Sequence, residues 1–423
     1  MRALLIVSTR SYRAGAFLEA FSRLGWEAVV ASERPQALQI LNPSGHLTLD
    51  FGDVPGAAHA IARFAEIHPI DFVVGADDDG VMLAAVAAHR LGLRHASAEA
   101  VRACRHKGHM RSLLAAAGLP GPRFDRVDLS ADPATTARRL FYPCVIKPAS
   151  LSGSRGVIRA DDEAGFVAAF NRVRNIVHSA LAEQGTQVGE TLLVEEYLEG
   201  EEVALEGLLT EGRLRRLAIF DKPDPLRGPY FEETLYVTPS RHPPARVAAV
   251  ERCVAEAAAA IGLDHGPVHA EVRFDAARAT LIEIAPRSIG GLCSRALRFE
   301  GGRSLEEVLL RHASGEDAAQ FEREPGAAGV LMIPIPRAGT LVGIEGAAEA
   351  AAVDGIEDVK LVIPPGQKVA PPPEGGRYLG FVFARAADPA AVEESLREAH
   401  RRLQVRIEPE SAAAAQSIER TSC

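Results

Sequence analysis

The sequence predicts a multidomain protein that combines an α/β part with an α+β part. Its 423 residues are enough for two to four domains at about 100–200 residues each. In the amino-terminal part, short apolar runs alternate with stretches of helical periodicity, which is typical of an open parallel sheet covered by helices. In the middle part, apolar runs follow one another through short turns, which indicates antiparallel sheets. A smaller mixed segment follows them.

Composition and charge indicate a globular protein and argue against several other classes of protein. Apolar residues make up 47% and charged residues 24% of the chain, as in ordinary globular proteins. The formal net charge is −9, from 47 basic and 56 acidic residues, and the absence of a long basic stripe argues against nucleic-acid binding. No apolar run reaches the roughly 20 residues of a membrane span, and the first apolar run is too short for a signal peptide, so we expect a cytoplasmic protein. The five cysteines form no CxxC pair, which favours neither a zinc site nor a disulfide framework.

The amino-terminal segment, residues 1–105, carries the α/β pattern. Strands are predicted at 3–8, 27–31 and 72–75, and helices at 15–24 and 81–91. The turn after the first strand lacks the GxGxxG fingerprint, which disfavours a nicotinamide-dependent dehydrogenase. Asp77, Asp78 and Asp79 follow the last of these strands, at the edge where open α/β sheets bind ligands. They belong either to a metal or substrate site or, more commonly, to a solvated loop that caps the next helix.

A lysine followed by a small, polar loop is the first candidate for a binding site. Lys147 ends a predicted strand, and the loop after it supplies three serine hydroxyls and two glycines: Ser150, Ser152, Gly153, Ser154 and Gly156. Glycine lets the backbone come close to an anion. The lysine precedes the loop, so this is not a P-loop, but an ammonium beneath a flexible loop can still bind phosphates. The alternative is a plain β-hairpin turn.

An acidic strand end is the second candidate. The strand at 192–198 contains Glu195, Glu196, Tyr197 and Leu198, and Glu202 follows seven residues after Glu195. Such a segment can offer hydrogen bonds to an adenine, and the later acid can accept hydrogen bonds from ribose hydroxyls. The alternative is a charged strand edge that deters pairing with another sheet.

The strongest pattern is a predicted β-hairpin over residues 267–285. Its first strand alternates between an apolar face and a polar face: Val268, Ala270, Val272 and Phe274 against His269, Glu271 and Arg273. A loop at 275–279 pairs Phe274 with Thr280 and therefore Glu271 with Glu283, with facing Cα atoms about 4.5–5.5 Å apart. The second strand is expected to place residues on two sides: Ile282 and Ile284 on one, Leu281 and Glu283 on the other.

Two carboxylates that face each other repel unless a cation lies between them. Mg²⁺ prefers oxygen ligands and often uses one or two carboxylates together with substrate phosphates, and a pair of ions about 3.5–4 Å apart suits such a hairpin. The alternative is an exposed face on which the carboxylates have raised pKa values. Arg287 follows Glu283 by four residues and can reach the same site, and the backbone amides of 288–291 can bind an anion.

A third segment begins near Gly326. Strands are predicted at 329–334, 359–363 and 378–384, and a helix at 389–403. The Ala- and Ser-rich residues 411–423 are expected to form a flexible tail.

The order of these features resembles the ATP-grasp superfamily: a lysine before a Ser/Gly loop, an acidic strand end with a second acid seven residues later, then paired glutamates and an arginine. The resemblance covers essentially the whole chain. Within the superfamily, His269-Ala-Glu and the run Glu283-Ile-Ala-Pro-Arg-Ser-Ile-Gly-Gly-Leu-Cys-Ser-Arg-Ala-Leu are most similar to the L-amino acid ligase group, the dipeptide-synthase-like carboxylate–amine ligases. The segments 221–234 and 380–385 agree with that group.

The resemblance implies a domain order and a role for each matching residue. The domains are an α/β domain (1–105), an ATP-grasp domain (106–318) with a lid at about 143–205, and a ligase-type domain (319–410) before the tail. The ATP-contacting residues would be Lys107, Lys147, the loop Ser150–Gly156, the adenine hinge Glu195–Leu198 and the ribose acid Glu202. Glu271 and Glu283 would bind metal, and Arg287 would steady an acyl phosphate. Substrate contacts would come from His269, Glu233, Ser288, Gly290 and Gly291. Ala285 stands where many members have an asparagine, and alanine cannot be a ligand.

The implied activity is an ADP-forming ligase that joins an amino acid to another amino acid or an amine through an acyl phosphate. Its cofactors would be ATP and two Mg²⁺ ions, with Mn²⁺ as an alternative. Its partners would be a small carboxylate and an amine. A homodimer is expected because twofold dimers are the commonest oligomers. Two alternatives stay open: another ATP-grasp enzyme of the biotin-carboxylase or purine-pathway type, and a non-catalytic ATP-binding protein. The absence of an Ala-Met-Lys-Met carrier segment weakens the biotin-dependent option.

Overall fold

The computed structural model of the chain describes residues 1–35, 42–184, 191–275 and 278–409, and the predicted tail at 411–423 lies outside them. The chain divides into two compact units, each built from three stretches. The first unit contains Met1–Gly121, Gly200–Asp221 and Thr238–Pro325. The second unit contains Pro122–Glu199, Lys222–Val237 and the residues from Gly326. No helix among the described residues is long and apolar enough to cross a membrane.

The strands of the described chain are, in order, β1 (Arg2–Ile6), β2 (Glu27–Ser32), β3 (His46–Thr48), β4 (Phe72–Gly75), β5 (Phe124–Asp128), β6 (Cys144–Pro148), β7 (Ile158–Ala160), β8 (Thr191–Glu196), β9 (Glu201–Thr210), β10 (Arg213–Asp221), β11 (Leu235–Thr238), β12 (Gly266–Phe274), β13 (Ala279–Ala285), β14 (Arg298–Phe299), β15 (Arg303–Ser304), β16 (Ala327–Ile333), β17 (Gly339–Glu345), β18 (Ile356–Leu361), β19 (Lys368–Val369), β20 (Gly380–Ala386) and β21 (Gln404–Glu408).

The helices are α1 (Ala14–Leu24), α2 (Val54–Ile67), α3 (Val81–Arg90), α4 (Ala98–Arg105), α5 (Lys107–Ala116), α6 (Pro133–Ala137), α7 (Glu163–Gln184), α8 (Pro244–Ile261), α9 (Leu305–Ala313), α10 (Ala347–Ala351) and α11 (Pro389–Arg402).

A parallel sheet opens the first unit, as the sequence predicts. Its order is β3-β2-β1-β4, and each neighbouring pair is parallel. Residues 3–6 of β1 are fully buried because helices cover both faces of such a sheet, so its strands are continuously apolar. Helix α1 ends at Gly25, whose φ of 64° is the left-handed conformation that glycine adopts most easily.

The antiparallel part of the first unit carries the predicted hairpin. Its strands lie in the order β13-β12-β9-β10, and neighbours are antiparallel. The apolar face of β12 predicted from alternation is buried in one core cluster together with side chains of α4, α5 and α8. The polar face of β12 is therefore left for the candidate site.

The second unit contains two larger sheets. In the first, β5-β8-β6-β7, all neighbours are antiparallel, and α7 packs its buried phenylalanines into the same core. In the second, β16 and β18 flank β20 in antiparallel pairs, β11 lies beside β16, and α11 covers them. These strands and α11 confirm the elements predicted for the third segment. The sheet β19-β17-β21 was not predicted, because β17 and β21 are only partly buried and β19 has two residues.

Candidate active site

Glu271 and Glu283 face each other across the β12–β13 hairpin, as the alternation pattern predicts. The predicted pairing of Phe274 with Thr280 is wrong, because Phe274 pairs with Ala279 and Arg273 with Thr280. The connection is thus one residue shorter than expected. A β-bulge lies between the Val272–Leu281 pair and the Glu271–Glu283 pair. It leaves Ile282 as an extra residue on β13, and this extra residue brings the two glutamates back into the predicted register.

The bulge also changes which side chains of β13 enter the core. Leu281 and Ile284 are both buried, at 1% and 0% exposure, in the same cluster, whereas Ile282 is half-buried. The expectation that Leu281 shares a side with Glu283, and Ile282 with Ile284, is therefore wrong. Strict alternation cannot continue through an inserted residue.

Helix α5 supplies two cations to this hairpin. Lys107, its first residue, is buried, and its Nζ lies 3.4 Å from Oε2 of Glu283. Arg111, one turn later, donates from Nη1 to the carbonyl of Leu281 and from Nη2 to the carbonyl of Ile282, both at 2.8 Å. Arg111 therefore holds the bulge itself. This role was not predicted from the sequence, although an arginine four residues after a candidate site lysine lies on the same helix face.

Glu202 lies on β9, next to β12 in the sheet. It faces Arg273, whose Nε donates to the glutamate at 2.8 Å, and both side chains are buried. Carboxylate oxygens of Glu202 and Glu271 lie within 4.8 Å of each other. The predicted ribose acid thus stands beside a predicted metal ligand, on the same sheet face.

His269 lies between a buried carboxyl group and a predicted metal ligand. Its Nδ1 is 3.1 Å from Oε2 of Glu206, and its Nε2 is 4.0 Å from Oε1 of Glu271. Glu206 is fully buried, and its Oε2 also accepts from the amide of Ile289 at 2.9 Å. Burial raises the pKa of Glu206, against the lowering effect of the hydrogen bond from His269. Glu206 was not predicted from the sequence, although a glutamate inside the apolar run Val-Ala-Leu-Glu-Gly-Leu-Leu requires a buried partner.

Arg287 is held by an aspartate of the first α/β domain. Its Nε and Nη2 donate to the two carboxylate oxygens of Asp78, each at 2.8 Å, and its Nη1 donates to the carbonyl of Ser288 at 3.1 Å. Burial alone disfavours both charges, but their attraction outweighs it, so the pKa of Asp78 is lowered and that of Arg287 is raised. Ser288 is buried, and Gly290 and Gly291 follow it in a turn in which Gly291 has a φ of 60°.

The three consecutive aspartates divide their roles. Asp77 accepts from the amides of Ser8 and Gly80 at 3.1 and 3.0 Å, which is the capping role that the sequence favoured. Asp79 forms an exposed pair with Arg10. Asp78 instead binds Arg287, so the triplet supplies one residue to the site after all.

The second unit carries the predicted lysine and hinge. Lys147 and Glu195 lie on the neighbouring strands β6 and β8, and Nζ is 2.6 Å from Oε2. Glu196 accepts from the guanidinium of Arg123, at 3.2 Å from its Nε. The Tyr197 amide donates to the carbonyl of Pro143 at 3.0 Å, and Leu198 is half-buried. The hinge segment is thus held by both its backbone and its carboxylates.

The Gly-rich loop between β6 and β7 has left-handed backbone at Gly153, Ser154 and Gly156, with φ values of 65°, 55° and 74°. Ser150 and Ser152 are exposed. The amides of Arg155 and Val157 donate to the carbonyls of Ser152 and Ser154, at 3.4 and 3.1 Å. The loop is therefore a tight turn stabilised by its own backbone, and its binding of phosphates stays a prediction.

Glu233 is the remaining predicted substrate residue. Its carboxylate is paired with the buried ammonium of Lys222, which also lies 5.2 Å above the ring of Tyr236. Lys222 was not predicted as a site residue. The feature of the sequence that could have indicated it is its place in the segment 221–234, which resembles the L-amino acid ligase group.

Comparison with known proteins identifies two domains. Residues 140–296 match the ATP-grasp domain, and residues 331–408 match L-amino acid ligase C-terminal domain 2. Over 263 residues the chain is 27% identical to alanine–anticapsin ligase of Bacillus amyloliquefaciens, across 59% of this chain and 55% of that protein. Over 328 residues it is 26% identical to the uncharacterized protein y4rH of Sinorhizobium fredii, across 74% of this chain and 63% of that protein. The chain thus covers less than two thirds of the length of these curated relatives.

A crystal structure extends the similarity to nearly the whole chain. The L-amino acid ligase from Bacillus licheniformis superposes with a TM-score of 0.79 and 25% sequence identity, over 96% of this chain and 99% of that one. ATP-grasp proteins in general bind ATP and a divalent metal ion. The resemblance deduced from the motifs is confirmed: the chain contains an ATP-grasp domain and an L-amino acid ligase C-terminal domain.

Proposed function

We propose that the protein is an ATP-dependent carboxylate–amine ligase that forms an amide bond through an acyl phosphate, joining an amino acid to another amino acid or an amine. The observation that carries this proposal is the pair Glu271 and Glu283, facing each other with the ammonium of Lys107 3.4 Å from Glu283. Facing carboxylates are unfavourable in a sheet, so this arrangement suits a site that binds cations. The similarity to L-amino acid ligases supports the same activity.

The donor set fits a hard divalent cation. Glu271 and Glu283 would hold Mg²⁺, or Mn²⁺ in its place, through carboxylate oxygens. When bound, the metal would neutralise negative charge on the ATP phosphates. We propose two ions, one of which lacks a side-chain ligand at Ala285.

In the proposed reaction a carboxylate oxygen of the first substrate attacks the γ-phosphorus of ATP, the bond to the β–γ bridging oxygen breaks, and ADP leaves. The amine of the second substrate then attacks the acyl carbon, inorganic phosphate leaves, and the amine loses a proton. Lys107 and Lys147 would bind the phosphates electrostatically. Arg287 would contact the acyl phosphate through the N–H groups that do not point at Asp78. The loop 150–156 would exclude water, which hydrolyses acyl phosphates.

The other assignments are part of the same proposal. Residues 195–198 would contact adenine, Glu202 the ribose, and His269, Glu233 and the turn 288–291 the substrates. The lid at about 143–205, the domain boundaries at 105, 318 and 410, the homodimer and the cytoplasmic location stay predictions from the sequence.

The test is a screen for ADP release by the purified protein with Mg²⁺, ATP and pairs of amino acids and simple amines, with mass detection of products. We expect one ADP and one inorganic phosphate for each amide formed. AMP and pyrophosphate would instead indicate an adenylate intermediate and contradict the mechanism. ATP binding without any ADP release would favour the non-catalytic alternative.

A further inference from the structure

The segment Pro371–Arg377 of the ligase-type domain contacts the Gly-rich loop 150–156 directly, within the second unit. The amide of Gly156 donates to the carbonyl of Pro373 at 2.8 Å. Nε of Arg155 donates to the carbonyl of Glu374 at 3.0 Å. We name residues 371–377 the clasp segment, because both of these hydrogen bonds come from residues of the loop between β6 and β7.

Two glycines make this contact close. A Cβ atom on Gly376 would lie 3.1 Å from the carbonyl oxygen of Gly153, and a Cβ on Gly153 would lie 3.2 Å from the carbonyl oxygen of Gly376. Nine in ten real Cβ contacts are longer than these. The two backbones therefore approach each other at a distance that a side chain on either residue would disturb.

An ion pair fixes the clasp segment to the body of the second unit. Arg172 of α7 donates from Nε and Nη2 to the two carboxylate oxygens of Glu374, at 2.6 and 2.9 Å. The same guanidinium lies 5.0 Å from the centre of the Tyr230 ring and donates to its hydroxyl. Tyr230 in turn forms a backbone bridge with Ile158, two residues after the loop. Glu374 is thus the carboxylate that connects the clasp segment to α7.

We propose that the clasp segment holds the loop 150–156 in the conformation that receives the phosphates of ATP, and that Glu374 is a positioning residue for nucleotide binding. This inference rests on the proposed function. A loop of serines and glycines loses much conformational entropy when it becomes ordered. A loop that is ordered before the nucleotide arrives does not incur that loss on binding, so its affinity for phosphates is higher.

The first test compares nucleotide binding to the wild type and Glu374→Ala, by titration calorimetry with ATP or AMP in the presence of Mg²⁺. Exposed ion pairs contribute up to about 1 kcal/mol, so we expect the Kd for ATP to rise about three- to fivefold. AMP lacks the β- and γ-phosphates, and its Kd should not change. Hydrogen exchange in a peptide that spans 150–156 should become faster.

The matched control is Glu398→Ala. Glu398 also accepts from arginines in the second unit, Arg401 and Arg402, but these lie on α11 with it. Glu398→Ala removes these two ion pairs away from the loop, so ATP affinity and loop exchange should stay at the wild-type values.

A second variant tests the close approach without removing a charge. Gly376→Ala should push the two backbones apart and weaken ATP binding while leaving AMP binding unchanged. Gly343→Ala is its control, because a Cβ there meets no atom within 4 Å.

The results separate the inference from the function on which it rests. Wild-type ATP affinity in both Glu374→Ala and Gly376→Ala would overturn the positioning role and leave the proposed function intact. Equal losses of ATP and AMP affinity would also overturn it, because they indicate general damage to the protein. If the wild type binds neither nucleotide, the proposed function fails, and the positioning role fails with it.

Discussion

Asp78 and Arg287 are 209 positions apart in the chain and form a bidentate ion pair, with both N–O distances at 2.8 Å. Asp78 follows the last strand of the parallel sheet, whereas Arg287 follows the hairpin that carries the paired glutamates. The pair fixes the plane of the guanidinium, because two parallel hydrogen bonds allow one orientation.

Asp78→Asn should therefore slow the reaction more than it weakens ATP binding. Asparagine has one acceptor oxygen and a donating NH2 group, so it cannot accept the two parallel hydrogen bonds of the guanidinium, and Arg287 loses its fixed orientation. We expect turnover to fall at least about tenfold, equivalent to about 1.4 kcal/mol in the barrier, with a nearly unchanged Kd for ATP. Asp79→Asn, which alters an exposed pair with Arg10, is the control and should behave like the wild type. Equal turnover in Asp78→Asn and Asp79→Asn would show that the orientation of Arg287 by Asp78 does not contribute to catalysis.

Glu271→Gln tests the metal site. If the two glutamates share Mg²⁺, turnover should fall more than about tenfold, and excess Mg²⁺ should restore part of it. If they bind no metal, relief of their repulsion should stabilise the protein by a few tenths to about 1 kcal/mol and leave turnover unchanged. Thermal midpoint and turnover, each measured at low and high Mg²⁺, distinguish these results. Glu349→Gln, at an exposed position of α10, serves as the control.

Arg111→Lys should disturb the bulge that aligns the glutamates. An ammonium lacks the planar fork that reaches the carbonyls of Leu281 and Ile282 together, so one buried carbonyl loses its donor. We expect the free energy of unfolding to fall by about 1–3 kcal/mol, and the Mg²⁺ concentration for half-maximal turnover to rise. Arg102→Lys, at an exposed position of α4, should change neither. A destabilised variant with an unaltered Mg²⁺ requirement would show that the bulge serves stability alone.

Lys147→Ala should have two separable effects. It removes a cation from the ATP phosphates, and it leaves the buried carboxylate of Glu195 without its lysine, which costs about 3–5 kcal/mol for a buried pair. The double variant Lys147→Ala with Glu195→Gln should recover most of the stability but not the ATP affinity. Denaturant unfolding and ATP titration of both variants check this. Recovered ATP affinity in the double variant would mean that Lys147 acts only through Glu195.

Acid should destabilise the first unit through two stacked histidines. The rings of His265 and His312 lie 4.9 Å apart, and Nε2 of His312 is 2.8 Å from Oγ1 of Thr210. Burial is the main cause that lowers both pKa values from 6.5 to about 4. The unfolded chain therefore binds more protons between pH 6.5 and 4, so stability is full above pH 6.5 and falls as the pH decreases through this window. One pKa unit corresponds to about 1.4 kcal/mol. Unfolding of wild type and His265→Phe at several pH values measures the loss, which should be smaller in the variant.

The alternation of apolar residues was sufficient to predict the β12–β13 hairpin and the facing glutamates, because burial of one strand face imposes a period of two. It could not predict the bulge at Ile282, whose carbonyl is bound by Arg111, a residue 171 positions away. The same limit applies to Asp78 and to Glu206, whose partners come from distant strands and turns. Local pattern therefore predicted that the two glutamates face each other, whereas the contacts that orient the candidate site residues follow from tertiary structure.

The interleaved order of the two units restricts how this protein can be divided or recombined. Strand β16 depends on β11 for a neighbour, and the clasp segment depends on α7, yet these elements come from three separate stretches of the chain. A fragment that begins at Gly326 would expose the edge of β16 and lack the partner of Glu374. An exchange of the ligase-type domain between relatives should therefore carry residues 122–199 and 222–237 with it.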